Sequence, residues 1–179
     1  MKAILRGQLP AAGAQFSSSR YRNCGVRVRV LFVSQTNSSR SQMAEAFANY
    51  YGSDVLRAAS VGIRPAPQVS AATREVMREK NIEIPDRTPK GLDWMNLEHF
   101  DLIVNLSGNS LPDTGPAPVL SFSVPDPTGR DQEIFREVRD RIDYHVTRLV
   151  RDLRRACVKY KPPSQDWQMV FPPKAVACY

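Results

Sequence analysis

Cysteine is scarce in this chain: three in 179 residues, Cys24, Cys157 and Cys178, at spacings that match neither a metal site nor a paired redox motif. That excludes a disulfide scaffold. Free thiols indicate a reducing compartment, hence a cytoplasmic setting, and neither a metal nor a cofactor is expected. Histidine is scarcer still, with only His99 and His145 to supply imidazole chemistry. Acidic residues are missing altogether from positions 1–44, where seven basic side chains (Lys2, Arg6, Arg20, Arg22, Arg27, Arg29 and Arg40) stand unopposed. The rest of the chain balances, eighteen basic against eighteen acidic, so the net charge of +7 is an end effect and a nucleic-acid partner is not expected. No apolar run approaches the ~20 residues of a membrane span, so no membrane partner is expected either. The length leaves room for one domain of ordinary size, with tails.

What is present is organised around residues 26–52. Val28, Val30, Leu31, Phe32 and Val33 form an apolar run ending in four unbroken apolar residues, the pattern of a strand covered on both faces. From Met43 the period changes. Met43, Ala46, Phe47 and Tyr50 fall on one stripe of a helix, with Gly52 suited to the position just past its end. Between them runs the small, polar stretch S-Q-T-N-S-S-R-S, in which Ser39 and Gln42 have the spacing of a capping box. A strand feeding a helix through such a loop aims several backbone N–H groups and the positive helix end at one point. That is an anion site, and Arg40 adds a planar fork for phosphate-like oxygens.

A second strand is expected over 54–60, then a loop over 61–67 and a helix over 70–80 with Ala72, Val76 and Met77 inward, ended by Asn81. Residues 82–85 read as an extended connector and 92–100 as a short helix or turn. The next buried strand spans 100–106, followed by a loop at Ser107, Gly108, Asn109 and Ser110. Residues 112–118 form a connector and 119–122 a last short strand. Successive strand–helix units imply right-handed crossovers and a parallel sheet, an α/β fold whose ligands sit at the carboxyl ends of the strands. Asp126, between Pro125 and Pro127, is held in a stiff turn. A long helix over 131–156 carries the stripe Ile134, Phe135, Val138, Ile142, Val146, Leu149 and Leu153, with Arg139 on a solvated face and Glu137 spaced to pair with Arg141. Residues 1–25 read as a disordered extension or, alternatively, a transit peptide, 26–156 as the domain, and 157–179 as a proline-containing tail.

The stretch 34–41 resembles the C-x5-R-S phosphate loop of the low-molecular-weight protein tyrosine phosphatases and of the thioredoxin-coupled arsenate reductases that share their fold. Arg40 and Ser41 match the R-S, Asn37 matches the loop asparagine, and S-Q-M-A-E-A-F leans towards the reductases. The resemblance implies a four-stranded parallel sheet in the order 2-1-3-4 with helices on both faces. It also implies an oxyanion loop made of Gln35, Thr36, Asn37, Ser38, Ser39, Arg40 and Ser41, and a general acid at Asp126 in S-V-P-D-P-T-G-R. The partner is then phosphate, arsenate or a phosphotyrosine-type ligand. By the same resemblance Ser34 stands where the nucleophilic cysteine would be, and Ser39 and Ser107 stand at further cysteine positions. Gln35 and Thr36 replace the usual Thr-Gly, so a left-handed backbone must come from Asn37 or another residue. A serine hydroxyl ionises far less readily than a thiol and needs an adjacent base to act as nucleophile. The expected protein binds oxyanions with thiol catalysis lost; the alternative is an active phosphomonoesterase using Ser34, Arg40 and Asp126.

Overall fold

The structure, a computed structural model, describes residues 27–111 and 114–159, with side chains as far as residue 156. Of the expected extension 1–25 and tail 157–179, only the helical backbone of 157–159 falls within that description, and Cys24 and Cys178 lie outside it. In chain order the elements are β1 (Val28–Ser34), α1 (Arg40–Gly52), β2 (Leu56–Gly62) and α2 (Ala71–Arg78). Two 3-10 turns (Leu92–Trp94 and Leu97–His99), β3 (Leu102–Asn105), β4 (Val119–Ser121) and α3 (Gln132–Lys159) follow.

The four strands are parallel and ordered β2-β1-β3-β4, the α/β arrangement expected. β1 is paired on both sides, with Phe32 opposite Ser60 on β2 and Val104 on β3. Its side chains alternate between two apolar layers, which is why its run is unbroken. Val28, Val30 and Phe32 join Met43, Phe47, Val76, Val138, Ile142 and Val146 in the larger core beneath the three helices. Leu31 and Val33 face the other way, against Leu92 and Ile103, with Met95, Leu97 and Phe100 packed around them. Among the described residues, the helical cover of this second face is the pair of 3-10 turns. Complete burial of Phe32, Phe47 and Ile142 contributes about 1.5–3 kcal/mol each.

Several local readings change. β2 starts at Leu56 rather than residue 54, because Val55 N–H closes a turn onto Gly52 and Asp54 is taken by Arg154 of α3. Gly52 is the last residue of α1 without a positive φ; a Cβ there would lie 2.8 Å from Val150 Cγ2, so it serves the close approach of α3. Arg139 is not solvated: it is buried, donating to Val76 O (2.9 Å) and to Glu79 at the end of α2 (2.6 Å). No Glu137–Arg141 ion pair forms among the described residues. α2 itself ends at Arg78 rather than residue 80, and Asn81, with φ +57°, closes the turn that follows, its N–H on Arg78 O.

Candidate functional site

Residues 35–39 leave the end of β1 and enter α1 at Arg40, lying alongside the segment 63–70. Ile63 N–H donates to Ser34 O (3.0 Å), Arg64 to Gln35 O (2.8 Å), Ala66 to Thr36 O (2.9 Å) and Ser70 to Ser38 O (3.1 Å), while Met43 in α1 donates to Ser39 O (2.9 Å). The carbonyls of Ser34, Gln35, Thr36 and Ser38 are thus turned towards the segment 63–70. In a trans peptide the following N–H points opposite to the carbonyl, and no peptide here is cis. The N–H groups of Gln35, Thr36, Asn37 and Ser39 consequently turn to the opposite side of the loop, and that of Arg40 belongs to the first turn of α1, where N–H groups have no partner within the helix. Among the described residues only that of Asn37 meets a protein acceptor, Ser34 Oγ at 3.1 Å.

The bend that a glycine would otherwise supply is made by Asn37, whose φ is +52°. It rests on Gly62, which faces Ser34 in the β1–β2 register. A Cβ on Gly62 would sit 2.7 Å from Thr36 C and 2.8 Å from Asn37 N, so only a bare backbone fits. Sequence reading assigned Gly62 no role; its signal was a glycine at a strand end, where another backbone approaches closely.

Ser34 Oγ lies 2.7 Å from Ser41 Oγ. Asn37 Nδ2 donates to Ser41 Oγ (2.9 Å) and to Ser60 Oγ (2.8 Å), and its Oδ1 accepts from Lys90 N–H (2.8 Å) and Gln42 Nε2 (3.2 Å). Ser41 is fully buried and accepts from the amide, and among the described residues Ser34 Oγ is the one acceptor within reach of its own hydrogen, which it therefore donates to Ser34. Ser34 oxygen is thereby held as an acceptor of two hydrogen bonds. The expected capping box does not form: Ser39 is the N-cap residue, but its hydroxyl accepts from Thr73 Oγ1 (2.9 Å), and Gln42 has turned to Asn37. Thr36 and Ser38 hydroxyls bond each other at 2.8 Å.

Arg40 is 4% exposed and Asp126 43%. Arg40 Nη1 donates to Leu106 O (2.8 Å) and Val124 O (3.4 Å), and Nη2 donates to Asp126 Oδ2. Burial pulls the Arg40 pKa below its ordinary value and Asp126 opposes that pull; a guanidinium stays charged regardless. The other carboxylate oxygen of Asp126 accepts Thr128 N–H (3.0 Å) and Oγ1 (2.7 Å), which locks the Asp-Pro turn. Across the crevice, Ser107 Oγ donates to Asn105 Oδ1 (2.7 Å) and accepts from Asn109 N–H (3.1 Å), while Asn109 Nδ2 reaches Gln35 Oε1 at 3.5 Å. The structure thus brings Ser34, Gln35, Thr36, Asn37, Ser38, Ser39, Arg40, Ser41, Ser107 and Asp126 to one edge of the sheet. The histidines stay apart from Ser34 hydroxyl. His99 lies in the second 3-10 turn, and His145 on α3 stacks on Phe122 at 4.6 Å, its pKa lowered by burial first and then by Arg148 and Arg141.

A family model described as low molecular weight phosphotyrosine protein phosphatase matches residues 29–115. A glutaredoxin arsenate reductase of Synechocystis is 30% identical over 126 residues, covering 68% of this chain and 95% of the relative. Arsenate reductase 1 of Bacillus cereus is 35% identical over 121 residues, 65% of this chain and 90% of its own. A solved arsenate reductase in its phosphate binding state superposes with a TM-score of 0.66 at 29% identity, over 70% of this chain and 98% of that one. With the crossed loop, the buried arginine and the parallel sheet already in place, these likenesses lead to one statement: the chain belongs to the superfamily of low molecular weight phosphotyrosine protein phosphatases, together with the arsenate reductases.

Proposed function

We propose that this chain binds phosphate or arsenate, free or as a phosphotyrosine-type ester, in the loop Gln35, Thr36, Asn37, Ser38, Ser39, Arg40 and Ser41, and that thiol catalysis has been lost at Ser34. The observation that carries this reading is the row of four carbonyls held by the segment 63–70, which leaves the N–H groups that follow them on the opposite side of the loop, beside the start of α1. Several amides, the positive end of α1 and Arg40 together complement an oxyanion. The solved relative in a phosphate binding state supports the same ligand class.

Catalysis is a separate matter. A free thiol starts near pKa ~8.5 and a positive loop brings it below neutrality, whereas a serine hydroxyl starts far higher. Serine nucleophiles rely on a neighbouring base, yet Ser34 oxygen meets Ser41 and Asn37, both donors to it. Thiol-coupled arsenate reduction would also need sulfur where Ser39 and Ser107 stand, and their hydroxyls are engaged by Thr73 and Asn105. The second reading, an active phosphomonoesterase, is favoured by the place of Asp126 beside Arg40, where a carboxylic acid could protonate a leaving oxygen.

Thermal unfolding in phosphate and arsenate tests the binding reading. Ligand at a hundred times its Kd adds about 2.7 kcal/mol to stability, a readily measured rise in Tm, and Arg40→Ala should remove it. No shift in roughly tens of millimolar phosphate overturns the proposal. Brisk aryl-phosphate turnover abolished by Ser34→Ala would favour the second reading instead.

A further inference from the structure

The hydrogen-bond chain behind Ser34 ends at a charged pair that the oxyanion chemistry does not use. Glu45, one turn beyond Ser41 on α1, is 5% exposed. Its Oε2 accepts from Ser60 Oγ at 2.6 Å and its Oε1 meets Arg87 Nη2 at 3.2 Å. Arg87 is half-exposed and lies at the mouth of a cleft of about 300 Å³ between α1 and the connector 81–87, so the charged end of the chain is open to solvent.

The donors along this chain point in a set order. A carboxylate only accepts, so Ser60 must donate to Glu45 and present a lone pair to Asn37 Nδ2. One amide hydrogen of Asn37 then goes to Ser60 and the other to Ser41. The opposite end of the same amide is held by Lys90 N–H at 2.8 Å, and Lys90 O in turn accepts from Gly62 N–H at 2.8 Å. The segment 87–90 therefore grips Asn37 at both ends, through Lys90 directly and through Arg87, Glu45 and Ser60 in series. Asn37 is also the residue in the left-handed conformation on which the loop turns.

We propose that Arg87 is a positioning residue for the oxyanion loop: by holding Glu45 as an acceptor it orients Ser60, the Asn37 amide and Ser41, and so presents two donors to the atom at position 34. A buried carboxylate stripped of its counter-charge turns outward to solvent. That change takes the acceptor from Ser60, whose hydrogen then turns elsewhere, and loosens the amide. The inference rests on the oxyanion-loop reading for its purpose, while its mechanism is measurable without any ligand.

The experiment places a reporter at the end of the chain. In Ser34→Cys protein, the ionisation of the introduced thiol is followed by thiolate absorbance against pH, with Arg40 and Asp126, the charged groups at the loop, unchanged. Adding Arg87→Met should raise the thiol pKa by about one unit, a tenfold loss of thiolate stabilisation, and Arg87→Lys should restore most of it. Ser60→Ala, which cuts the chain at its middle and leaves the surface pair intact, should shift the thiol in the same direction and guards against misfolding of the Arg87 variant. A thiol pKa that is the same with and without Arg87, even where Tm falls, would reduce Arg87 to a tether and overturn the inference. So would a shift that Arg87→Lys does not reverse. An Arg87-dependent thiol without phosphate binding would sink the oxyanion proposal and leave this one standing; phosphate binding with an Arg87-independent thiol would do the reverse.

Discussion

Arg40 and Asp126, 86 residues apart in sequence, are joined by a hydrogen bond from Nη2 to Oδ2, while the backbone carbonyls of Leu106 and Val124 hold Nη1. The guanidinium is thus built into the wall of the crevice, and one of its edges already faces a carboxylate. An incoming oxyanion shares Arg40 with Asp126 and is repelled by it.

That competition gives the first expectation. Asp126→Asn keeps the shape of the turn but removes the negative charge beside the loop, so phosphate should bind more tightly. Because Asp126 is 43% exposed, solvent screening limits the gain to roughly tenfold, about 1.4 kcal/mol. Isothermal titration with phosphate measures it; weaker binding in Asp126→Asn would mean that the carboxylate orients Arg40 rather than competing with the ligand.

Catalysis should return only in part when the nucleophile does. Ser34→Cys should hydrolyse an aryl phosphate measurably, because the loop amides and Arg40 favour a thiolate and Asp126 can protonate the leaving oxygen. Combining it with Asp126→Asn should cost about 10²–10⁴-fold of that rate, the usual worth of a general acid. Neither variant should reduce arsenate with thiol reductants, since positions 39 and 107 remain hydroxyls. A Ser34→Cys protein that binds phosphate and stays inert would show that the geometry has drifted beyond the nucleophile.

Gly62 and Gly52 should respond unequally to alanine. At Gly62 the new Cβ would meet backbone, Thr36 C at 2.7 Å and Asn37 N at 2.8 Å, and these cannot move without opening the loop. At Gly52 it would meet only side-chain methyl and methine carbons of Val150 and Leu56. Gly62→Ala should therefore cost about 1–3 kcal/mol of stability and most of the phosphate-induced rise in Tm. Gly52→Ala should lower Tm but leave the phosphate response intact. Equal phosphate responses in the two variants would contradict the packing argument.

Acid should loosen the junction between α3 and the turn after α1. The Arg154 hydrogen bonds hold the Asp54 carboxyl down at about 2, below its ordinary value of 3.8. A depressed folded-state pKa contributes stability that is fully present above the unfolded value and lost as pH falls through the folded one. The loss therefore runs from pH 3.8 downward to about 2. Carboxyl titration followed by NMR should give that low midpoint, and Arg154→Ala should return Asp54 to the ordinary range. An unchanged midpoint in the variant would rule out Arg154 as the cause.

Much of the fold was legible in the chain itself, because its signals are local. The switch from a continuous apolar run to a helical stripe at Met43 located β1 and α1, and the small polar residues between them could only be a loop. Repeated strand–helix units made the sheet parallel, and the connection rules placed its ligand edge. The need for a left-handed residue in a loop without glycine pointed to Asn37, and its φ of +52° answers that need.

Other features depended on which partners packing brought within reach. Ser39 and Gln42 have the capping-box spacing, yet Thr73, 34 residues away, and Asn37 claimed them, because a buried donor takes the nearest acceptor rather than the one adjacent in sequence. Arg139 lay just off an apolar stripe and read as solvated, but α2 crosses above it and supplies Glu79 and a free carbonyl. Nothing in the spacing of Glu45, Ser60, Arg87 and Lys90 marked them as a set. They meet around Asn37 only because β2 pairs with β1 and the connector after α2 folds back along the end of β2, through Gly62 and Gly91. Period and turn chemistry are properties of neighbours in the chain and can be read from it; hydrogen-bond partners across 20 or more residues belong to the packed molecule.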